Sequence, residues 1–359
     1  MGKPVSIVRV EPVSQADADA WHEVVTASMA EDLPGVPPPP RAQAHARLTG
    51  PGPGPGPGPG PGPGPGPGPG PRSRLLTWLA HEEDDGAGRG RAVGAAALRL
   101  FDRAGQEHPA EVDLHVRPDA RRRGTGTELL SAVVAEAKAA GSRSLIAEVP
   151  ACTPAELFCV RHGLRRTLIL HHLLLPLSEV HRGWLDELTA TDHPGYRPAE
   201  WDGIVPGTLA DAFAAARKAM YVTPVGASDR GTVGWDADRV RAVHEVVTGR
   251  GDTLLTVAAL DGDEIAGFTE VVIPRGTATR ARQYDTVLVP ARRGHGLGVW
   301  LKAHMLRRLH DEYPQVTEIE TDNTADNVHM LAVNEHLGFH RERTTYEYRL
   351  ALIERKEPA

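Results

Sequence analysis

The chain has 359 residues, enough for two domains of ordinary size that each bury a core. Its 24% charged and 40% hydrophobic residues are those of a soluble globular protein, and a net charge of −7 excludes the basic footprint of a nucleic-acid scaffold. No apolar run approaches a membrane span, and Cys152 and Cys159 have neither metal-site nor disulfide-framework spacing, so a cytoplasmic, reducing compartment without membrane or nucleic-acid partners is expected.

The opening VSIVRV reads as a strand over 5–10, although Gly2 and Ser6 satisfy the loose myristoylation pattern. A helix is predicted over 15–30, then an irregular stretch holding the prolines at 37–40. From Pro51 to Pro71 proline and glycine alternate strictly. With few donors and nothing to bury, this tract is expected to be an extended tether in a surface loop, and its period of two excludes collagen. Strands follow at 74–81, 92–101 and 110–116, then a glycine turn and a helix over 125–140 with Leu129, Leu130, Val133, Val134 and Ala137 at helical spacing. A strand at 144–149, a short helix at 154–162 and a strand at 166–175 complete the first half.

After a connector at 179–195 the order repeats, with helices at 208–219 and 236–248 and strands at 253–260, 264–273 and 281–289. A second glycine turn and helix span 294–312, followed by a strand at 315–321, a helix at 326–337 and a strand at 341–351. The predicted fold class is α+β, with tandem domains at 1–178, carrying the Pro-Gly insertion at 51–71, and at 196–359. Only five of the 40 basic residues are lysine, a bias that suits a GC-rich, bacterial coding sequence.

The two glycine turns share one build. Measured from Pro118 and Pro290, an arginine follows at plus three and glycines at plus six and plus eight, and the copies lie 172 residues apart. A strand passing through Arg-x-x-Gly-x-Gly into an amphipathic helix presents bare backbone N–H groups at a helix N-terminus, which suits a phosphate or pyrophosphate. No Gly-Lys-Ser/Thr follows, which excludes a Walker loop, and the spacing of Gly294, Gly296 and Gly298 is not that of a dinucleotide fold. A turn that merely reverses the chain accounts for one copy more readily than for two.

The turns RRRGTG (Arg121 to Gly126) and RGHGLG (Arg293 to Gly298), with NVHMLAVNEHLGF from Asn327 to Phe339, resemble the signatures of the GNAT superfamily of acyl-CoA-dependent N-acyltransferases. The likeness covers nearly the whole chain as two tandem domains, each implied to be a mixed, mostly antiparallel sheet flanked by helices. It implies acetyl-CoA as acyl donor. The pyrophosphate would lie on Arg293, Gly294, His295, Gly296, Leu297, Gly298 and Val299, and on Arg121, Arg122, Arg123, Gly124, Thr125, Gly126 and Thr127. The pantetheine would follow Thr286, Val287 and Leu288 in the second domain and Leu114, His115 and Val116 in the first, with Asn327 also at the cofactor. An N-acetyltransferase acting on a primary amine of a small molecule is implied, without metal, as a monomer or homodimer, with the second domain catalytic and the first degenerate or accessory. A non-catalytic CoA-binding sensor or structural protein is the alternative.

Direct acyl transfer needs an amine that has lost its proton, a polarised carbonyl and a proton for the departing thiolate. Asp285 and Asp113 both lie five residues before the aligned proline and are expected at equivalent places; each is a candidate base or a carboxylate that bonds neighbouring backbone. Glu320, with Glu148 its counterpart, is the other candidate. Family members often carry a tyrosine acid seven residues after the asparagine; here that position is Asn334, a hydrogen-bond donor that is no acid. The first-domain counterparts of Asn327 and Asn334 are Cys152 and Cys159, so water, Tyr346 or Tyr348 is left to protonate the thiolate. Cys159 is expected to be a buried structural thiol, and His171 and His172 to point to opposite faces of a strand.

Overall fold

Strand β1 (Val5–Val10) leads into helix α1 (Gln15–Asp32), which starts at a capping box: the Asp17 N–H donates to the Ser14 hydroxyl and the Ser14 N–H to the Asp17 carboxylate. The computed structural model describes residues 4–36, 38–49, 73–83, 90–101, 109–219, 234–249, 251–276 and 279–352; the Pro-Gly tract lies outside the described residues. Helix α2 (Arg41–Thr49) precedes strands β2 (Ser73–Glu82), β3 (Ala92–Phe101) and β4 (Pro109–Val116). Then come α3 (Thr125–Ala139), β5 (Ser144–Pro150), α4 (Pro154–Arg161) and β6 (Arg165–Pro176). The second half contains α5 (Arg182–Ala190), β7 (Arg197–Asp202), α6 (Ala210–Ala219), α7 (Ala237–Gly249), β8 (Thr253–Asp261), β9 (Glu264–Ile273) and β10 (Arg280–Leu288). It ends with α8 (Leu297–Glu312), β11 (Glu318–Thr324), α9 (Val328–His336) and β12 (His340–Ala351). The chain is thus α+β, with mixed sheets, as its alternating and helical patterns imply.

Two units divide the chain. Among the described residues, the first is drawn from 4–49, 73–167 and 346–352, the second from 168–345. They are not the linear halves: β6 passes to the second unit at Leu168, and β12 returns to the first at Tyr346. Strand membership follows hydrogen-bonding partners, and β6 finds its partner in β11, where His172 stands opposite Asp322. The connector is ordered too: α5 buries Leu185 in the core beneath α8, so it belongs with the second unit.

In the first unit the strands run β1-β2-β3-β4-β5 and then the end of β12. The β1–β2, β2–β3 and β3–β4 pairs are antiparallel and β4–β5 is parallel. Alternation gives the sheet two apolar faces. Ala96 and Leu98 pack with Leu129 and Val133 of α3, whereas Ala95 and Ala97 pack with Trp21 and Val24 of α1. The second unit runs β6-β11-β10-β9-β8-β7, with β10–β11 parallel. One face is covered by α8 through Leu297, Leu301 and Leu306, and the other by α6 and α7 through Phe213, Val240 and Val243.

Three elements escape the sequence pattern. Helix α2 and helix α5 sit in stretches whose prolines and turn residues read as loop, and β7 contains Pro198. Proline cannot donate to a ladder, and β7 tolerates it as an edge strand paired with β8. No helix among the described residues is long and apolar enough to cross a membrane.

Candidate active site

The parallel ladders at the centre of each unit are short. Strands β10 and β11 pair only from Arg280 opposite Glu318 to Arg282 opposite Glu320, and β4 and β5 only from Pro109 opposite Ser144 to Val112 opposite Ala147. Past those points the ladders stop, so Thr286, Val287 and Leu288, like Leu114, His115 and Val116, lie along a strand edge with backbone groups that need partners. Strand β10 is further distorted. Its register against β9 slips between Gln283 and Thr286, leaving Tyr284 and Asp285 in a bulge opposite Glu270, whereas β4 pairs with β3 without interruption from Glu111 to Val116.

Each strand edge leads into its glycine turn. Gly124 and Gly296 are the N-caps of α3 and α8, with φ of 95° and 74° and no side-chain cap, so the first N–H groups of both helices stay bare. Gly294 has φ 84°, and its counterpart Arg122 adopts φ 65° despite its side chain. A Cβ on Gly294 would meet nothing within 4 Å, and Gly294, His295 and Gly296 are exposed. Thr125 and Leu297 are buried, Val299 packs on the core, Gly298 lies against Leu288 and Val333, and Gly126 against Phe158. Thr127 bonds His162 at 3.2 Å.

The motif arginines serve the turn itself. Arg121 donates through Nε to the Val116 carbonyl at 3.0 Å, and Arg293 does the same to the Leu288 carbonyl at 3.3 Å. Arg121 also makes a two-pronged contact with Asp32 at 2.6 and 2.8 Å, so its charge is already neutralised within the protein. Arg123 lies 3.7 Å from Glu82, while Arg122 is exposed. Two glycines that the sequence pattern did not single out let the strands close behind the turns. A Cβ on Gly267 would come within 2.6 Å of the Val287 carbonyl and collide with Leu288, and one on Gly94 would lie 2.8 Å from Leu129.

The bulge turns Asp285 toward α6 and α7. Its carboxylate accepts from Arg217 Nη1 at 2.9 Å, and the same guanidinium donates to Glu270, which also faces His244 Nε2 at 3.0 Å. Arg217 lies among the rings of Trp235, Phe268 and Phe213 at 4.7, 5.2 and 5.4 Å. Burial raises the Asp285 carboxyl, and with Arg217 opposing and Glu270 reinforcing, it comes to rest at about 6. Burial would raise Glu270 as well, but Arg217 and His244 outweigh it and hold that carboxyl below its usual value. Glu320 instead bonds Arg282 at 2.6 Å and lies 3.6 Å from Arg280, and Glu148 is exposed.

Asn334 is fully buried and both ends of its amide are engaged. It accepts from Lys302 Nζ at 2.6 Å and donates to Asn323. Lys302 itself is 2% exposed, and burial pushes its ammonium down to about 7. Asn327 caps α9 by accepting from the Met330 N–H at 3.3 Å. Cys152 is exposed with φ 63°, and burial pushes the Cys159 thiol up to about 12, as befits a structural cysteine. Tyr346 and Tyr348 pack in the first unit beside Cys159.

A profile of the Acetyltransferase (GNAT) family matches the chain twice, over residues 70–163 and 227–339, each match holding one strand edge and one glycine turn. The chain belongs to the GNAT acetyltransferase family. The tandem GNAT protein of the clavulanic acid biosynthesis pathway, solved without AcCoA, is 24% identical with a TM-score of 0.72, covering 98% of this chain and 99% of its own. A GCN5-related N-acetyltransferase from Sphaerobacter thermophilus is 16% identical with a TM-score of 0.64, covering 97% and 96%. No curated protein matches the chain. The tandem GNAT fold is therefore shared across these structures, and acetyl transfer is the chemistry of the family.

Within that GNAT frame, residues expected together do not all converge. Asp285 and the edge from Thr286 to Leu288 are contiguous, while Asn334 is sealed into a polar cluster with Lys302 and Asn323. Asp113 and Asp285 face equivalent helices but differ in setting: the Asp113 side chain is 31% exposed and that of Asp285 3%. Arg217, Glu270, His244 and Lys302 are absent from the sequence reading. Each belongs to an amphipathic or alternating segment, and nothing local shows that their polar ends meet. His172 bonds Thr345 and Asp322 at 2.6 and 2.5 Å, His171 bonds Thr344 at 3.2 Å, and no group among the described residues could hold a metal.

Proposed function

We propose that this protein is an acetyl-CoA-dependent N-acetyltransferase that moves the acetyl group directly to a primary amine of a small molecule, with the second unit catalytic. The observation that carries the reading is the conjunction, on one strand and the turn that follows it, of the Asp285 bulge, the unpaired edge from Thr286 to Leu288 and the uncapped helix start at Gly296. The residues present fit the cofactor: Gly294, His295 and Gly296 offer an open, bare backbone to a pyrophosphate, and the β10 edge offers unpaired groups to an extended pantetheine.

When bound, acetyl-CoA supplies an activated thioester carbonyl. The β10 edge orients it, and the α8 N-terminus balances the phosphate charge. Asp285, lifted to about 6, is largely ionised at neutral pH and accepts a proton from the ammonium of the acceptor, directly or through water. Arg217 fixes the rotamer of that carboxylate and keeps it from ionising less readily still. Asn334 holds α9 to β11 through Asn323 and takes no proton.

Thiol release from acetyl-CoA with a panel of amines tests the reading. Amine-dependent release supports it, whereas acetyl-CoA binding without release for any amine favours a CoA sensor.

A further inference from the structure

We infer that the exposed face of α4, together with the arginines of the first glycine turn, is a docking surface for an acidic carrier protein whose phosphopantetheine arm enters along the β4 edge. The inference rests on the preceding reading for the fit of an extended pantetheine to such an edge. Helix α4 stands beside that turn: Thr127 Oγ1 lies 3.2 Å from His162 Nε2, and a Cβ on Gly126 would lie 3.2 Å from Phe158. Phe158 and Cys159 pack toward the core, which leaves Leu157, Val160 and Arg161, one helical turn of neighbours, on the opposite side of α4. Leu157 is 72% exposed and Val160 62%, the highest values among the large apolar residues described. Single exposed apolar side chains are ordinary, but a pair on one helical face rimmed by charge marks an interaction surface.

The rim is cationic. Arg122, Arg161 and Arg165 are exposed, and none of them makes an ion pair among the described residues. Arg123 is exposed 3.7 Å from Glu82, and Arg166 stacks over the Tyr346 ring at 4.5 Å. The one acid of α4, Glu156, is occupied by the Cys152 N–H. This basic face belongs to a chain of net charge −7. The second unit has the same scaffold without the surface. Counting from Cys152 and its counterpart Asn327, the positions of Leu157, Val160, Arg161 and Arg165 hold Ala332, Glu335, His336 and His340. Likewise Gly294 and His295 stand where the first turn has Arg122 and Arg123. All of these positions are exposed in both units, so packing does not dictate the difference. Arg122 even keeps φ at 65°, a conformation that glycine adopts at less cost.

The chemistry of the rim selects the occupant. A free nucleotide would engage arginines alone, whereas two aliphatic side chains ringed by arginine match a protein helix that sets carboxylates around apolar residues. Pantetheine is common to coenzyme A and to carrier proteins, where one phosphodiester joins the arm to a small acidic helical domain. In the second unit the bare Gly294 leaves open space for a pyrophosphate. In the first, Arg122 at that position suits a single phosphodiester followed by protein. The arm would then run along Leu114 to Val116, past the end of the β4–β5 ladder.

The test titrates the full chain with bacterial acyl carrier proteins of fatty-acid synthesis, each in its holo form and in the apo form that lacks the arm, by calorimetry. The holo form should bind about tenfold more tightly than the apo form, and added salt should weaken both. Leu157→Glu and Arg161→Glu lie at exposed positions that the fold does not need, and each should weaken holo binding by about tenfold. Holo binding should persist in Gly296→Glu, which alters only the turn of the second unit. Equal binding of holo and apo forms overturns the inference, as does binding of neither, or wild-type affinity in both surface variants. A chain that ignores carriers but binds vesicles of anionic lipid, or forms a dimer that Leu157→Glu dissociates, overturns it too. Amine-dependent thiol release from acetyl-CoA without carrier binding sinks this inference and leaves the preceding reading standing; holo-carrier binding without any acetyl-CoA binding does the reverse.

Discussion

Lys302→Met should stabilise the protein near neutral pH and flatten its pH dependence. The ammonium of Lys302 lies in the core, 4.9 Å from the Phe339 ring, with Asn334 as hydrogen-bond acceptor. Burial lowers it from 10.5 to about 7, which corresponds to a penalty of about 5 kcal/mol for holding the charged form at low pH. The folded value lies below the unfolded one, so from about 7 up to 10.5 the unfolded chain binds more protons and stability rises with pH. Between pH 7 and pH 9 the wild type should gain about 2 kcal/mol from this group alone. Methionine removes the charge but leaves the Asn334 oxygen without a donor, a cost of about 1–3 kcal/mol. The variant should therefore be more stable at pH 7 by about 1–3 kcal/mol, and the two proteins should converge near pH 9. Urea unfolding of both chains at the two pH values measures this. A difference between them that stays constant with pH would refute the assignment of a desolvated ammonium.

Gly296→Glu places a side chain and a negative charge at the bare helix start and should weaken acetyl-CoA binding by at least tenfold in calorimetry; unchanged affinity in a folded variant removes the cradle. Asp285→Asn should depress the acetylation rate more than acetyl-CoA affinity, and the wild-type rate should fall as pH drops through about 6, where the carboxylate takes up its own proton. Full activity of this variant, or a rate flat through that range, would move the base elsewhere. Gly267→Ala forces a methyl against the Val287 carbonyl, which is backbone and cannot swing aside. It should cost about 1–3 kcal/mol, seen as a lowered melting temperature together with weaker acetyl-CoA binding, and an unchanged melting curve would show that β9 and β10 have room to part.

The features that the sequence determined by itself are the local ones. A glycine N-cap, a proline that ends a strand and an amphipathic helix are set by backbone sterics and short-range periodicity, so both turns, α3, α8 and the central strands were legible, although β11 runs over Glu318–Thr324 where the pattern places a strand at 315–321. The matched spacing from Pro118 and Pro290 likewise carried the tandem architecture. The tertiary structure alone decided which strand joins which unit, because pairing is settled by hydrogen-bonding partners far apart in the chain: β6 crosses over at Leu168 and β12 at Tyr346. It also separated two aspartates that look alike in sequence. A one-residue bulge in β10 puts Asp285 against Arg217 of α6, while an unbroken β4 leaves Asp113 beside His115 and Arg47. A carboxylate's burial and charged neighbours come from other elements of the fold, and those set whether it is held as an ion or raised toward neutrality.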